Sequence, residues 1–308
     1  MRSHNALAEP AVDRRSERRG DADWLAGRLA DPGSLLTVVW RERSLVLEAH
    51  GERAPAPGTV PVTVASTLVE QTEELVYLGD AGGRSYFSVD LSDRDDPLSG
   101  PLRGAGRLVE LRQVGAAMSG MDGNLLAYAR AMATWHRRHR FCGQCGGATE
   151  SRNAGHLRVC TSCRCEHFPR TDPAVIMLVH TTGDDNSCLL GRQATWPPGM
   201  FSALAGFVEP GESLESAVAR EVQEETGIGV DTVEYHSSQP WPFPTSIMLG
   251  FYATSPGGDV RVDTEELEHA VWVRRSELEH ALRAREVRLP PPFSIARRLI
   301  DDWLRDER

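Results

Sequence analysis

The stretch that decides the fold runs from Gly206 to Ile228 and reads Gly206-Phe207-Val208-Glu209-Pro210-Gly211-Glu212, then seven residues, then Arg220-Glu221-Val222-Gln223-Glu224-Glu225-Thr226-Gly227-Ile228. Between its flanking glycines, Leu214, Val218 and Val222 recur four residues apart, the spacing of one helix face. Gly227 follows the last periodic residue, where a glycine commonly ends a helix. The pattern predicts a helix that is anchored to a core through this apolar stripe and ends on Gly227.

The same helix carries three carboxylates on one face, because Glu221, Glu224 and Glu225 lie at i, i+3 and i+4. Like charges so placed destabilise a helix by a few tenths of a kcal/mol per pair, unless a cation neutralises them. Carboxylate oxygens suit Mg²⁺ or Mn²⁺, and these ions in turn suit phosphate substrates. The alternative is a solvated acidic helix, which the flanking glycines and Arg220 disfavour.

A second unusual stretch follows closely and reads Ser238-Gln239-Pro240-Trp241-Pro242-Phe243-Pro244-Thr245-Ser246. Three prolines alternating with aromatic residues make a stiff segment with little conformational freedom to lose. Trp241 and Phe243 offer flat faces to a nucleotide base, and Gln239 and Ser246 offer polar groups. A rigid structural loop is the competing interpretation.

Four cysteines are spaced as metal ligands. Cys142-x₂-Cys145 and Cys160-x₂-Cys163 are separated by 14 residues, which is the spacing of a tetrahedral zinc ribbon. All four positions would be filled by the protein, so we expect this zinc to be structural. Cys165 is an alternative ligand, although Cys163 completes the x₂ spacing, and we expect Cys188 to be a buried filler.

The composition excludes several enzyme classes. All 34 basic residues are arginine, and without lysine the chain can form no Schiff base and no Walker A phosphate site. The net charge of −10 disfavours non-specific nucleic-acid binding as the main activity. No apolar run is long enough to span a membrane, and no secretory signal is evident, so we expect a cytoplasmic protein.

The pattern of elements divides the chain into four parts. We predict a disordered tail over residues 1–20, a small and mostly β N-terminal domain over 21–137, a zinc ribbon over 138–170 and a domain of mixed strands and helices over 171–308. Within the second part, five short strand-like runs precede a helix over Asp122–His139. The expected fold class is α+β or α/β.

The first stretch matches G-x₅-E-x₇-R-E-U-x-E-E-x-G-U, where U is aliphatic, and resembles the Nudix hydrolase signature at every fixed position. The resemblance implies an α/β/α sandwich and cleavage of pyrophosphate bonds in nucleoside diphosphate derivatives. It implies that Glu221, Glu224 and Glu225 are catalytic, with Arg220 orienting them, and that Glu212 supports the loop or a metal-bound water.

The second stretch resembles the hallmark SQPWPFPxS of the NADH pyrophosphatase branch, which also carries a four-cysteine ribbon before its Nudix domain. This resemblance implies that a glutamate before Leu267 completes the metal site; we choose Glu266, with Glu265 as its competitor. The implied ligands of Mg²⁺ or Mn²⁺ are the carbonyl of Ala205 and the carboxylates of Glu221, Glu225 and Glu266.

The branch also implies which residues bind the substrate: Arg112, Phe168, Gln239, Pro240, Trp241, Pro242, Phe243, Pro244, Thr245, Ser246 and Ala296. Two departures from its pattern stand out. Phe168 lacks the tyrosine hydroxyl that relatives carry at this position, and Gly155 replaces an acidic substrate contact inside the ribbon.

The function implied is metal-dependent hydrolysis of NAD(H) to nicotinamide mononucleotide and AMP, together with removal of NAD caps from RNA 5′ ends. Mg²⁺ or Mn²⁺ would be the catalytic cofactor, Zn²⁺ the structural one, and a homodimer the assembly. The alternative is a zinc-ribbon binding protein whose Nudix domain is inactive.

Overall fold

The structure is a computed structural model that describes residues 5–51, 53–72, 74–182 and 186–305. It forms two compact units. The N-terminal unit comprises the described parts of Leu7–Thr171 together with Pro240–Thr245, and the C-terminal unit comprises those of Met1–Ala6, Asp172–Gln239 and Ser246–Arg308. In the described part of the chain, no helix is both long and apolar enough to cross a membrane.

The N-terminal unit contains a seven-stranded sheet in the order β3-β2-β1-β6-β5, with β4 paired to β1 and β7 paired to β2. Its strands are β1 (Leu35–Trp40), β2 (Arg43–Leu47), β3 (Ala56–Pro57), β4 (Val60–Pro61), β5 (Val76–Ala81), β6 (Arg84–Asp90) and β7 (Arg107–Glu110). Each of the five strand-like runs of the sequence, Leu35–Trp40, Ser44–Ala49, Val60–Val64, Glu74–Leu78 and Tyr86–Val89, overlaps one of these strands. β1 and β6 run parallel, and the other neighbours run antiparallel.

Four helices accompany this sheet: α1 (Ala22–Ala30), α2 (Ser66–Glu70), α3 (Leu111–Val114) and α4 (Gly120–Arg138). The helix predicted over Asp122–His139 is α4, which begins two residues earlier because the Ser119 hydroxyl accepts a hydrogen bond from the Asp122 N–H at 3.1 Å. Its apolar face, with Leu125, Ala129 and Met132, packs in one core with strand residues of the sheet.

The ribbon belongs to the same unit and forms a three-stranded antiparallel sheet of β8 (Thr149–Arg152), β9 (Leu157–Cys160) and β10 (Glu166–His167). Arg158 attaches it to the rest of the unit by donating to Glu74 and to His136 Nδ1, each at 2.9 Å. Gly155 packs so closely that an added Cβ would lie 2.7 Å from the Leu75 carbonyl oxygen, and its φ is +89°.

The first residues of the chain differ from the disordered tail that the sequence predicts. Met1–His4 lie outside the described residues, but Leu7 is buried with Val46 and Leu111. The backbone of Asp13 makes two 2.8 Å hydrogen bonds with that of Asp80. The disorder prediction was wrong for these residues, because apolar side chains and strand-edge hydrogen bonds outweigh the charged arginines around them.

The C-terminal unit contains a six-stranded mixed sheet in the order β14-β15-β11-β12-β16, with β13 paired to β11. Its strands are β11 (Asp172–Thr181), β12 (Ser187–Arg192), β13 (Leu204–Phe207), β14 (Thr232–Trp241), β15 (Ser246–Ser255) and β16 (His269–Arg274). β11 and β15 pair in parallel over ten residues. Three helices complete the unit: α5 (Leu214–Thr226), α6 (Arg275–Ala284) and α7 (Ile295–Leu304).

The helices cover opposite faces of this sheet. Val175, Met177 and Val179 of β11 pack in one core with α5, whereas Ile176 and Leu178 pack in another with α6 and α7. This alternation is the period of two expected for a strand that is buried on both faces. The unit is therefore the α/β/α sandwich that the sequence predicts.

Candidate active site

The acidic helix forms where the sequence places it. Ser213 caps its N-terminus by accepting from the Ser216 N–H at 3.2 Å. Gly227 ends it in a left-handed conformation, with φ of 70° and an N–H bonded to the Gln223 carbonyl. The three glutamates of its shared face are thereby held next to β13.

Gly206 explains why β13 can approach this helix. An added Cβ at Gly206 would lie 1.8 Å from the carboxyl carbon of Glu221, which is far inside any permitted contact. Glycine is thus required here by the carboxylate rather than by backbone conformation. Ala205, the residue implied to offer a carbonyl to a metal, immediately precedes it in β13.

Arg220 connects the acidic groups. Its guanidinium donates to Glu212 at 2.6 and 2.9 Å, to Glu221 at 3.0 Å, to Glu224 at 2.8 Å and to the Phe207 carbonyl at 2.9 Å. Arg220 and the N–H of Glu209 together lower the pKa of Glu212 to about 2. One planar cation therefore fixes the orientation of three carboxylates, and a single lysine ammonium could not match that geometry.

Three carboxylates converge beside this cation. Oxygens of Glu221, Glu225 and Glu266 all lie within 4.8 Å of one another. Burial, followed by the charges of Glu221 and Glu266, raises the pKa of Glu225 to about 8, and burial also raises the pKa of Glu221. Oε2 of Glu225 is buried and, among the described residues, has no hydrogen-bond partner. A crowded oxygen cluster, in which two of the three carboxylates are buried and Glu266 is exposed, fits a hard divalent cation.

The geometry separates residues that the sequence left together. Glu224 is more than half exposed and is held by Arg220, outside the converging group. Of the two candidates before Leu267, Glu266 joins the group, whereas the cluster found in the described chain does not include Glu265. The Glu266 loop is tied to the helix by the Asp263 N–H, which donates to the Glu225 carbonyl at 3.1 Å.

The four ribbon cysteines also converge. Their sulfur atoms lie within 4.8 Å of one another, with Cys142 3.7 Å from Cys163 and Cys145 3.5 Å from Cys160. Backbone N–H groups point at the sulfurs, and those of Cys163 and Ser162 lower the pKa of Cys160 to about 6. Four converging thiols fit Zn²⁺ and leave no open position for catalysis.

The aromatic and proline segment places its rings beside an arginine. Trp241 and Phe243 are in edge contact, with centroids 5.1 Å apart. The Arg112 guanidinium lies 4.4 Å from the Phe243 centroid and 5.8 Å from that of Trp241. The structure thus brings together these three predicted substrate residues, all of them in the N-terminal unit.

A pocket of about 450 Å³ adjoins this group within the same unit, and it is lined by Arg41, Glu42, Glu110, Leu111, Arg112, Arg130, Arg138, Phe243 and Pro244. Arg130 supports it from beneath, since its Nε donates to the Pro242 carbonyl at 2.7 Å and its guanidinium binds Glu42. Arg130 was not among the residues predicted from the sequence, although an arginine within the apolar face of α4 was a usable signal.

Two predicted substrate residues, Gln239 and Ala296, make their contacts within the C-terminal unit. The Gln239 side chain donates to the Phe293 and Ala6 carbonyls and accepts from the Ile295 N–H, and it is fully buried. Ala296 lies in the apolar core between sheet and α7. Their roles in substrate binding stay predictions.

Four further predicted substrate residues lie in or next to the strands β10, β14 and β15. Pro240 lies in β14, Thr245 is buried where the chain turns, and Ser246 begins β15 opposite Asp172. Phe168 is 64% exposed, just beyond β10, so its ring is open to solvent.

Comparisons with known proteins cover nearly the whole chain. A NADH pyrophosphatase-like rudimentary NUDIX domain matches residues 33–135, a NADH pyrophosphatase zinc ribbon domain matches 137–168, and a NUDIX domain matches 170–291. The NAD-capped RNA hydrolase NudC of Mycobacterium tuberculosis is 38% identical over 98% of this chain and 96% of its own length. The human NAD-capped RNA hydrolase NUDT12 is 31% identical over 98% and 73%, and the chloroplastic Nudix hydrolase 19 of Arabidopsis thaliana is 44% identical over 74% and 55%.

Proposed function

The chain belongs to the Nudix hydrolase family, with the domains of its NADH pyrophosphatase branch, and from that premise we propose that it hydrolyses the pyrophosphate bond of NAD(H) to nicotinamide mononucleotide and AMP. The family assignment confirms the resemblance seen in the sequence. The observation that carries the proposed reaction is the convergence of the exposed Glu266 on the buried Glu221 and Glu225, whose Oε2 has no hydrogen-bond partner among the described residues.

The residues of this group have different roles in the reaction. In the reaction, water adds to one phosphorus, the bridging P–O bond breaks, and the proton of the water passes to a base. When bound at Glu221, Glu225 and Glu266, Mg²⁺ or Mn²⁺ would offset phosphate charge and make water more acidic. Arg220 orients Glu221 and Glu224, and a carboxylate of the cluster, or the water itself once activated, would take up the proton.

The proposal is tested by a product assay on NADH and NAD with each metal, using Glu225→Gln and Glu265→Gln as a matched pair. Glu225→Gln keeps the shape of the side chain but removes its charge, so we expect a folded protein that has lost turnover. Glu265→Gln should retain turnover, since its side chain is not part of the converging group. Full turnover by Glu225→Gln would contradict the proposal, and failure of the unaltered protein with either metal would favour the inactive-domain alternative.

A second substrate, RNA with a NAD cap, is favoured by the arginine-lined pocket beside Phe243. The pocket carries four arginines against two glutamates in a chain of net charge −10. Such a local excess of positive charge suits the phosphates that follow the cap in RNA and that free NADH lacks. Relatives matched over nearly the full chain are named as NAD-capped RNA hydrolases.

This second proposal predicts a selective defect. Arg138 lines the pocket and is exposed, so Arg138→Ala should lower kcat/KM on capped RNA several-fold, weaken its salt dependence and leave NADH hydrolysis unchanged. Arg283→Ala, an exposed arginine of the C-terminal unit, is the control. Equal effects of Arg138→Ala on both substrates would refute a role for the pocket in binding RNA.

Three further assignments belong with this proposal. We propose that Ala205 contributes its carbonyl to the metal site, that the chain acts as a homodimer, and that it works in the cytoplasm, where reduced thiols are the norm. The domain limits 21–137, 138–170 and 171–308 are proposed as well, and the three matched domains give independent support for them.

A further inference from the structure

The ribbon contains a fifth cysteine whose position is set by the second knuckle. After Cys160 the chain reverses, with the Arg164 N–H bonded to the Cys160 carbonyl at 3.1 Å and the Cys160 N–H bonded to the Cys165 carbonyl at 2.9 Å. Arg164 adopts a positive φ of 63° to complete this turn. Cys165 is consequently held by a backbone hydrogen bond to a predicted zinc ligand, Cys160, immediately before β10.

β10 then directs a second donor toward the same place. His167 lies in β10, two residues after Cys165. His167 Nε2 lies 3.3 Å from Cys142 Sγ, and the donor atoms of Cys142, Cys165 and His167 all lie within 4.8 Å of one another. Cys142 therefore belongs to two overlapping groups of metal-binding side chains.

We propose that Cys165 is a reserve zinc ligand that replaces Cys163 when the Cys163 thiolate is lost. Cys163 is exposed, whereas Cys142 and Cys160 are buried, so it is a ligand that reagents in solution can reach. Cys163 and Cys165 are separated by one residue and both neighbour Cys142, so a rearrangement of the turn at Arg164 exchanges one for the other. One zinc–thiolate bond replaces another, and the Cys165 proton passes to solvent.

The first knuckle lacks this reserve, which makes the proposal asymmetric. Cys145 is also exposed, but glycines and Gln144 surround it in sequence, and no further cysteine follows until Cys160. The sixth cysteine, Cys188, is buried in the core of the C-terminal unit. Loss of Cys145 should therefore release zinc, whereas loss of Cys163 should not.

The test uses the full chain and measures bound zinc and zinc affinity by chelator competition. We expect Cys163→Ser to retain one zinc with an affinity loss of about tenfold or less, which is the scale of a change around the ligands rather than of a lost ligand. Cys145→Ser and the double variant Cys163→Ser/Cys165→Ser should each lose more than about 100-fold. Equal losses for Cys163→Ser and Cys145→Ser would overturn the proposal.

Substitution by Co²⁺ identifies the replacing group, because its charge-transfer absorbance counts the thiolates bound. Cys163→Ser should still show four thiolates and the double variant three. Three thiolates in Cys163→Ser would assign the fourth position to His167 or water and reject Cys165.

A second measurement avoids variants that lack a primary ligand. Zinc-loaded unaltered protein and Cys165→Ser are treated with iodoacetamide, which can alkylate the exposed Cys163 and Cys145, and released zinc is followed with a coloured chelator. Mass spectrometry counts the alkylation at each cysteine, and the comparison uses the zinc released by protein that is alkylated at Cys163 and not at Cys145. Cys165→Ser should release zinc several-fold more for each Cys163 alkylated. Identical release from the two proteins would reject the proposal whether or not the other variants fold.

Discussion

At the scale of single residues, Gly206 makes the sharpest prediction. Gly206→Ala would bring a methyl group to 1.8 Å from the Glu221 carboxyl carbon, so the carboxylate must leave its place. A displacement of about 1 Å in a catalytic group is expected to lower kcat/KM by about 100-fold. Steady-state hydrolysis of NADH measures this loss.

The control is Gly229→Ala in the same unit, where an added Cβ meets nothing within 4 Å. It should behave as the unaltered protein in both activity and thermal unfolding. Undiminished kcat/KM for Gly206→Ala would show that Glu221 need not occupy its observed position.

Two buried histidines predict how stability depends on pH. Burial, followed by the charge of Arg158, lowers the pKa of His136 to about 3, and burial lowers that of His156 to about 4. In the unfolded chain both titrate near 6.5, so between about pH 6.5 and pH 4 the unfolded state binds more protons. The free energy of unfolding should therefore fall on acidification, by up to about 1.4 kcal/mol per pH unit for each histidine.

Urea unfolding at pH 7, 6 and 5 measures this slope, and His156→Gln serves as the comparison. The glutamine that replaces His156 does not titrate, so the stability of the variant should decline less steeply on acidification than that of the unaltered protein. Parallel declines would show that His156 is not the source of the effect.

At the scale of elements, the acidic helix α5 depends on its first turn. The Ser213 hydroxyl satisfies the Ser216 N–H, and Ser213→Ala should lower the free energy of unfolding by about 1 kcal/mol. Ser213→Asp keeps an acceptor at the cap and places a negative charge at the helix N-terminus, so its stability should match the original. Chemical denaturation of the three proteins tests this, and equal stabilities would show that the cap contributes nothing.

The same helix shows which elements could be predicted from sequence. Its four-residue apolar spacing and its closing glycine agree, and the observed α5 carries that spacing and ends immediately before Gly227. The helix α1 was not predicted, nor were β3 and β7, because their apolar residues gain burial only through partners distant in sequence. The same holds for the tail, where Leu7 needs Leu111 to become buried.

The site follows the same division between local and distant information. Local spacing was enough to group Glu221 and Glu225, and to group the four cysteines. It could not choose between Glu265 and Glu266, since that depends on how the Asp263 loop meets the helix end. Nor could it show that the Gln239 side chain donates to the Phe293 carbonyl and accepts from the Ile295 N–H, more than fifty residues away.

At the scale of the whole molecule, zinc should stabilise one unit and not the other. The ribbon packs within the N-terminal unit through Arg158, His136 and Gly155, whereas the C-terminal unit has its own two cores. Zinc removal should lower the Tm of the N-terminal transition and leave that of the C-terminal unit unchanged.

Calorimetry before and after chelation measures this difference. Returning Zn²⁺ should restore the first transition, and returning Mg²⁺ should not, because thiolates bind magnesium poorly. A single transition that shifts as a whole would contradict independent stabilisation of the two units.

The close packing at Gly155 has a consequence for protein engineering. Relatives are implied to carry an acidic substrate contact at this position, and restoring it would look like a one-residue repair. With φ at +89° and the Leu75 carbonyl 2.7 Å from any Cβ, however, an introduced side chain would force the ribbon away from β5 before it could reach a ligand. Directed evolution of substrate preference in this chain therefore has to find its new carboxylate elsewhere, because this route is closed by the architecture of the ribbon.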